Sequence, residues 1–215
     1  GGGLIETSGS SFYITDRFAV DASTASGAAG TWILDPQDVD IWHGSAPPSP
    51  SANALYDSTV SAALDTGTSV TVTTPAGGSS TAGDVMFHEG VAIARNTPGV
   101  PVTFQVNAHR SIRTESPTVT IESAPGAGAL NVFLNADADN SGPAVGGGQV
   151  SFDGSILSNG GNIRMHGNWS TKGPDDAGVH LADATLDSQA RATPGRGDGN
   201  IDLEGRTTTP GANGL

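Results

Sequence analysis

The sequence predicts an all-β protein, and three observations support this class. Short apolar pairs recur along the chain, each with two large side chains two positions apart, which is the period of a strand with one buried face. The 31 glycines and 13 prolines lie between these segments, which indicates frequent turns. Aspartate outnumbers glutamate 17 to 5 and lysine occurs once, so residues that favour helix surfaces are scarce.

The segment from Gly30 to Ile41 gives the clearest strand prediction. Trp32 and Leu34 fall on one face of an extended segment and an isoleucine lies on the other, so this strand is expected to be buried. Pro36, which follows an aspartate, fixes φ and has no N–H to donate, so it ends the strand at a corner. Alternation resumes at Val39, which predicts a second strand beyond the corner.

Nine apolar pairs follow this corner and predict short strands at uneven intervals of 13 to 22 residues. The pairs are Val70/Val72, Val85/Phe87, Val102/Phe104, Val119/Ile121, Val132/Leu134, Val150/Phe152, Ile163/Met165, Val179/Leu181 and Ile201/Leu203. Such intervals are typical of stacked coils, so we expect a loose solenoid. The segments Gly161–Gly167 and Gly199–Gly205 share Gly, Asn, Ile and Gly at identical places 38 residues apart, which fits two coils of about 19 residues.

An antiparallel β-sandwich is the alternative that the sequence leaves open. Asp153-Gly154, Asn159-Gly160 and Asp198-Gly199 are dipeptides that form hairpin turns, and sandwiches also contain many short strands.

Ala54 to Leu64 is the one candidate helix, and its apolar spacing predicts at most a short helix or an insertion between strands. The proline-rich run from Ala46 to Pro50 is expected to be an exposed loop, because proline cannot pair within a sheet.

The chain is expected to fold as one domain over residues 1–215, since this length suits a single sizeable core and no linker divides it. Its formal charge of −13 repels phosphate, which argues against nucleic acid and anionic membranes as partners. No cysteine occurs and no apolar run approaches the roughly 18 residues of a membrane span, so we expect neither disulfides nor a spanning helix. Because no charged and apolar leader is visible, the chain is expected to be a segment of a longer exported precursor.

A resemblance to a known family adds to this pattern. Gly30 to Pro36 reads G-T-W-I-L-D-P and, with I-E-T-S-G from Ile5 to Gly9, resembles the large exoproteins of the filamentous haemagglutinin type, which Gram-negative bacteria secrete by the two-partner route. Three later stretches fit the same family: Leu64 to Val72, Val102 to Ala108 and Leu130 to Asp137. The resemblance covers nearly the whole chain and is specific for architecture and export rather than for a ligand.

The resemblance implies a right-handed parallel β-helix (β-solenoid) that is secreted or displayed on the cell surface of a Gram-negative bacterium. It implies an adhesin whose coils form a rigid rod that contacts a host cell, a neighbouring cell or the extracellular matrix, with glycans among the partners. Two alternatives stay open: a fibre or matrix subunit that associates end to end, and a β-helical enzyme acting on polysaccharides. The cluster of aspartates, histidine and basic residues that such enzymes use is not evident, so we expect no enzyme and no catalytic residue.

One loop is a candidate calcium site. Asp137, Asp139 and Ser141 place side-chain oxygen atoms at alternate positions, which is the spacing with which loops wrap this cation. The glutamate that closes an EF-hand loop is replaced by Gly148, so a solvated turn is the alternative. No other cofactor is expected.

Two short motifs suggest contacts at the surface. Arg196, Gly197 and Asp198 form the tripeptide that integrins recognise in exposed loops, and some adhesins of the haemagglutinin type carry it. Asn168 begins an Asn-Trp-Ser triplet, which is a glycosylation acceptor pattern that related adhesins use. An ordinary exposed turn is the alternative for each motif.

Overall fold

The structure, a computed structural model, describes residues 1–15, 17–47, 49–75, 83–139, 148–169, 177–192 and 195–207. Fifteen strands and one helix lie in these ranges. The strands are β1 (Leu4–Ser8), β2 (Gly30–Asp35), β3 (Val39–Trp42), β4 (Ala54–Tyr56), β5 (Thr68–Thr74), β6 (Val85–Phe87), β7 (Ala92–Arg95), β8 (Val102–Ala108), β9 (Ile112–Thr114), β10 (Thr120–Ser123), β11 (Leu130–Ala136), β12 (Val150–Leu157), β13 (Ile163–Trp169), β14 (Val179–Asp187) and β15 (Ile201–Thr207). The helix is α1 (Asp57–Thr66).

The first sheet has seven strands in the order β1-β2-β5-β8-β11-β13-β15. Its strands pair in parallel and in register, so that residues of one column lie side by side: Trp32 beside Val70, then Phe104, then Val132. Every strand pairing in the described ranges of the chain is parallel. The all-β class is therefore confirmed, and the antiparallel sandwich is wrong.

The second sheet has eight strands in the order β4-β3-β6-β9-β12-β10-β7, with β14 also paired to β12. β9 pairs with the start of β12 at Val150, whereas β10 pairs with its end from Ser155 to Leu157. The register of β12 against β14 shifts near Gly154, where a Cβ atom would lie 2.3 Å from the carbonyl oxygen of Val119. Glycine is therefore required at this bulge.

The apolar pairs form the core. Seven of the nine pairs are at most 1% exposed, as predicted, and Trp32 is fully buried. The last two pairs differ, because Leu181 and Leu203 are only half-buried and Ile201 is 44% exposed. The predicted corner at Pro36 is also confirmed, since β2 ends one residue before it and β3 begins in the second sheet.

The internal copy Gly-Asn-Ile marks neighbouring strands of the first sheet. Ile163 and Ile201 are register partners, so the prediction of two coils of about 19 residues within the 38-residue interval is wrong. The interval instead contains β14, which belongs to the second sheet. Asn162 accepts a hydrogen bond from the backbone N–H of Asn200 at 2.9 Å, and a Cβ on Gly199 would lie 1.9 Å from a carbonyl oxygen. The repeated residues thus serve the close stacking of these strands.

Helix α1 lies against the edge of β7 in place of a strand. The backbone N–H groups of Ala92 and Ala94 donate to side chains of Asp57 and Ser61, at 2.7 and 2.9 Å. The next outward N–H, of Asn96, donates to Asp65. Four residues of helix rise about 6 Å and two residues of strand about 6.6 Å, so acceptors at every fourth helical position match donors at every second strand position. The short helix, which the sequence analysis predicted as one possibility, therefore covers the open edge of β7.

Candidate functional site

The outward-facing residues of the first sheet form polar columns. Asn107 and Asn135 are register partners, and His166 continues their column on β13. The neighbouring column contains Gln105 and then Arg164, separated by a half-buried phenylalanine. Because parallel strands lie about 4.8 Å apart, the first column forms a continuous polar surface, and the phenylalanine interrupts the second column.

A cleft of about 580 Å³ opens at the end of this surface, beyond the last residues of β5, β8 and β11. Its polar lining consists of Thr73, Thr74, Asn107, His109, Asn135, Asp139, Arg164 and His166. The members lie on strands and turns that are distant in sequence, so only the stacking of strands brings them together. The cleft is the candidate functional site.

Two amides on the cleft wall are oriented by their mutual contact. The Nδ2 atom of Asn135 donates to Oδ1 of Asn107 at 2.9 Å, and Nε2 of Gln105 donates to the same oxygen at 2.8 Å. Asn107 therefore offers its amide nitrogen to the cleft and Asn135 offers its amide oxygen. Paired donors and acceptors of this kind are suited to sugar hydroxyl groups.

His109 is held in place from two sides. Its Nδ1 atom lies 2.9 Å from a carboxylate oxygen of Asp139, and its backbone N–H donates to the hydroxyl of Thr74 at 3.1 Å. That hydroxyl in turn donates to the carbonyl of Gly83. A carboxylate at Nδ1 fixes the imidazole orientation, which is the arrangement of many general bases.

A second polar cluster lies at the second sheet, around His88. The two ring nitrogens lie 2.9 Å from Asp40 and 3.0 Å from Glu115, and the ring stacks on Trp42 with centroids 3.5 Å apart. The bond to His88 lowers the pKa of Glu115, and a backbone N–H from Glu89 lowers it further. Sequence spacing alone does not link these residues, because the partners of His88 lie on β3 and just after β9.

The two aspartates of the predicted calcium loop contact different residues. Asp137 is buried and accepts a hydrogen bond from Asn168 at 2.8 Å, whereas Asp139 pairs with His109 in the cleft. Ser141 lies outside the described residues. The described ranges contain no group of three histidine, aspartate or glutamate side chains arranged to hold a metal. Calcium binding at Asp137, Asp139 and Ser141 stays a prediction.

The integrin-type tripeptide lies within the described residues, and its arginine side chain already makes hydrogen bonds within the protein. Arg196 donates through one terminal nitrogen to the carbonyls of Ala127 and Asn159, at 2.8 and 3.2 Å. Asp198 is exposed and accepts a hydrogen bond from the backbone N–H of Ala190 at 2.8 Å. Recognition of Arg196, Gly197 and Asp198 by a partner would require the arginine to leave these carbonyls, and it stays a prediction.

Asn168 is buried, with 7% of its surface exposed. Its Nδ2 atom, to which a glycan would be joined, donates to the buried carboxylate of Asp137. A glycan at this atom would displace that contact, so modification would have to precede folding or disrupt it. Glycosylation of Asn168 likewise stays a prediction.

Comparison with protein families and with curated proteins finds no match to this chain. The resemblance to filamentous haemagglutinin-type exoproteins therefore stays a prediction. Within the ranges that the structure describes, no helix combines the length and the apolar character needed to cross a bilayer.

Proposed function

We propose that this chain is a β-helical segment of an exported adhesin, which contacts glycans on a cell surface or in the extracellular matrix through the cleft. The observation that carries the proposal is the polar cleft itself, where two oriented amides stand beside histidine and arginine side chains. Rigid, outward-facing side chains of this kind lose little conformational entropy when they bind a ligand.

The β-helix is part of the proposal. From β2 to β13, each strand of the first sheet is followed by one or two strands of the second sheet, and all pairings in the described ranges are parallel. This alternation supports successive coils around one core. The right hand of the helix, the export route and the Gram-negative cell surface are proposed from the resemblance.

A binding experiment tests the adhesin function. The purified chain is applied to arrayed glycans and to intact cells, and the double variant Asn107→Ala with Asn135→Ala is compared with it. We expect affinity to fall about tenfold or more, since each lost hydrogen bond contributes about 1 kcal/mol. The matched control is Ser151→Ala with His180→Ala, register partners on the outer face of the second sheet. Equal binding by the cleft variant, or no binding to any glycan, contradicts the proposal.

End-to-end association is a second candidate, favoured by the exposed apolar residues on the outermost strands of the first sheet. Leu4 on β1 is 67% exposed and Ile201 on β15 is 44% exposed. Sedimentation at increasing concentration tests this function. Filaments that lengthen with concentration, and that Ile201→Asp abolishes, would support it, whereas a single species at all concentrations would contradict it.

A polysaccharide-active enzyme is the lesser candidate, favoured by the oriented pair of His109 and Asp139 in the cleft. Release of reducing ends from acidic polysaccharides would support it if His109→Ala abolished that release. Binding without any release would leave the adhesin function.

A further inference from the structure

We propose that the cleft selects a short saccharide that carries a single carboxylate, with Arg164 and His166 holding the acid group. This inference rests on the proposed glycan-binding function and specifies its ligand. Arg164 and His166 are two residues apart on β13, so both face outward, and both line the cleft.

Arg164 has donors to offer. Its side chain is 48% exposed, and its Nε atom lies 3.9 Å from a carboxylate oxygen of Asp202, whose own side chain is 66% exposed. An ion pair of that length between solvated groups is weak. The guanidinium can therefore turn its parallel N–H groups toward a carboxylate, which it binds through two charge-assisted hydrogen bonds.

His166 supplies a second reason to expect a ligand. Its Nε2 atom is buried yet has no hydrogen-bond partner among the residues that the structure describes. A buried polar atom left in this state is unfavourable, and a ligand oxygen would relieve it once the imidazole ring turns to present Nε2 to the cleft. As an N–H donor, Nε2 suits a carboxylate oxygen; in the other tautomer, it accepts from a sugar hydroxyl. A sugar acid provides both groups, which neither a simple anion nor a neutral sugar does.

The surrounding charge limits the ligand to one acid group. The chain carries a formal charge of −13, and Asp139 lies in the cleft wall. Asp202 and Glu204, on β15, are the register partners of Arg164 and His166. A polyanion would bring further carboxylates toward these acidic groups and be repelled. One carboxylate beside Arg164 avoids this repulsion.

Two pairs of probes test the inference by isothermal titration calorimetry: lactose with 3′-sialyllactose, and cellobiose with cellobiouronic acid. Within at least one pair, the acid should bind about tenfold more tightly than its neutral parent, because it gains charge-assisted bonds. Polysialic acid and polyglucuronate should bind no more tightly per site than the corresponding single acid.

Variants assign the preference to its residues. Arg164→Gln should reduce the advantage of the acid over its neutral parent to less than about threefold. Arg113→Gln, on the second sheet, should retain the full advantage and serves as the matched control. Thermal melts confirm that each variant is folded.

The outcomes separate this inference from the function on which it rests. If neutral sugars bind as tightly as the acids and Asn135→Ala weakens both, the single-carboxylate ligand is wrong and glycan binding stands. An acid preference that survives Arg164→Gln also overturns the inference. If neither the four probes nor any arrayed glycan binds, both proposals fail.

Discussion

The chain alternates between the two sheets, yet the strands of the first sheet pair regularly and those of the second sheet are interrupted. In the first sheet, β8 and β11 pair over seven consecutive residues, from Val102 to Ala108. In the second, β6 and β9 have three residues each, and β12 divides its pairing between β9 and β10. The difference lies in the apolar alternation, which continues through the first sheet and is broken in the second by turns and by α1.

Polar side chains compensate where alternation stops. Asp38 accepts the backbone N–H groups of Gly83 and Asp84, at 2.7 and 3.1 Å, and Asp84 accepts that of Ser111 at 3.0 Å. The two acceptors stand just before β3 and β6, and Ser111, the last donor, stands just before β9, so these bonds link one turn of the chain to the next. Aspartate is short enough to reach a neighbouring backbone, which explains its excess over glutamate. The first sheet is held mainly by apolar burial, and the second relies more on such bonds.

The largest expected effect tests the burial side of this comparison. Trp32→Ala should lower the free energy of unfolding by about 3 to 5 kcal/mol, because it removes a fully buried aromatic side chain. The melting temperature should fall by roughly 6 to 20 °C. Trp42→Ala, at a site that is 42% exposed, is the control and should cost clearly less. Melting of the Trp32 variant within a degree or two of the parent would contradict burial as the source of stability.

The next effect tests the polar side of the comparison. Asp57 is 3% exposed and accepts hydrogen bonds from the backbone N–H groups of Gly44 and Ala92, with His43 at 2.8 Å. Asp57→Ala should cost about 2 to 3 kcal/mol, since these donors lose a charged acceptor. Asp21→Ala, at an exposed turn, should cost little. Urea denaturation measures both, and hydrogen exchange at the Ala92 amide should speed up in the first variant alone.

A smaller effect concerns acid pH. Because His88 lowers the pKa of Glu115 from its ordinary value of 4.5, the folded state favours the carboxylate. The stability from this contact is present above the unfolded pKa and is lost as pH falls through the folded pKa. Glu115→Gln should therefore lower the melting temperature at pH 7, and the difference should shrink as pH falls and vanish at a pH below the folded pKa. A difference that persists at that pH would mean that packing, not charge, explains it.

The smallest expected effect concerns calcium. Asp137 and Asp139 bind different partners, so we expect calcium and magnesium to act alike through diffuse screening. Melting temperatures with millimolar calcium or magnesium should agree, and Asp137→Asn with Asp139→Asn should not change the response. A calcium-specific rise that disappears in the double variant would establish the metal site instead.

Local patterns predicted much of the fold. Val102 to Ala108, identified from the sequence, is β8 without a change in bounds, and the corner at Pro36 is found where expected. The fold was predicted less well where strand register determines the structure. The repeat at Ile163 and Ile201 is an example, because the sequence does not show which strands become neighbours. The cleft could not be predicted for the same reason. His109 and His166 line the same cleft only because β8, β11 and β13 stack side by side.

The edge of β7 is closed to the addition of another strand. A strand placed beside β7 would present its own outer row of N–H and C=O groups, and so would every strand added after it. Helix α1 ends that series, because its backbone groups bond within the helix while Asp57 and Ser61 occupy the amides of β7. Lateral recruitment of another chain is blocked at this edge, so any assembly that uses backbone pairing there would first have to peel the helix away.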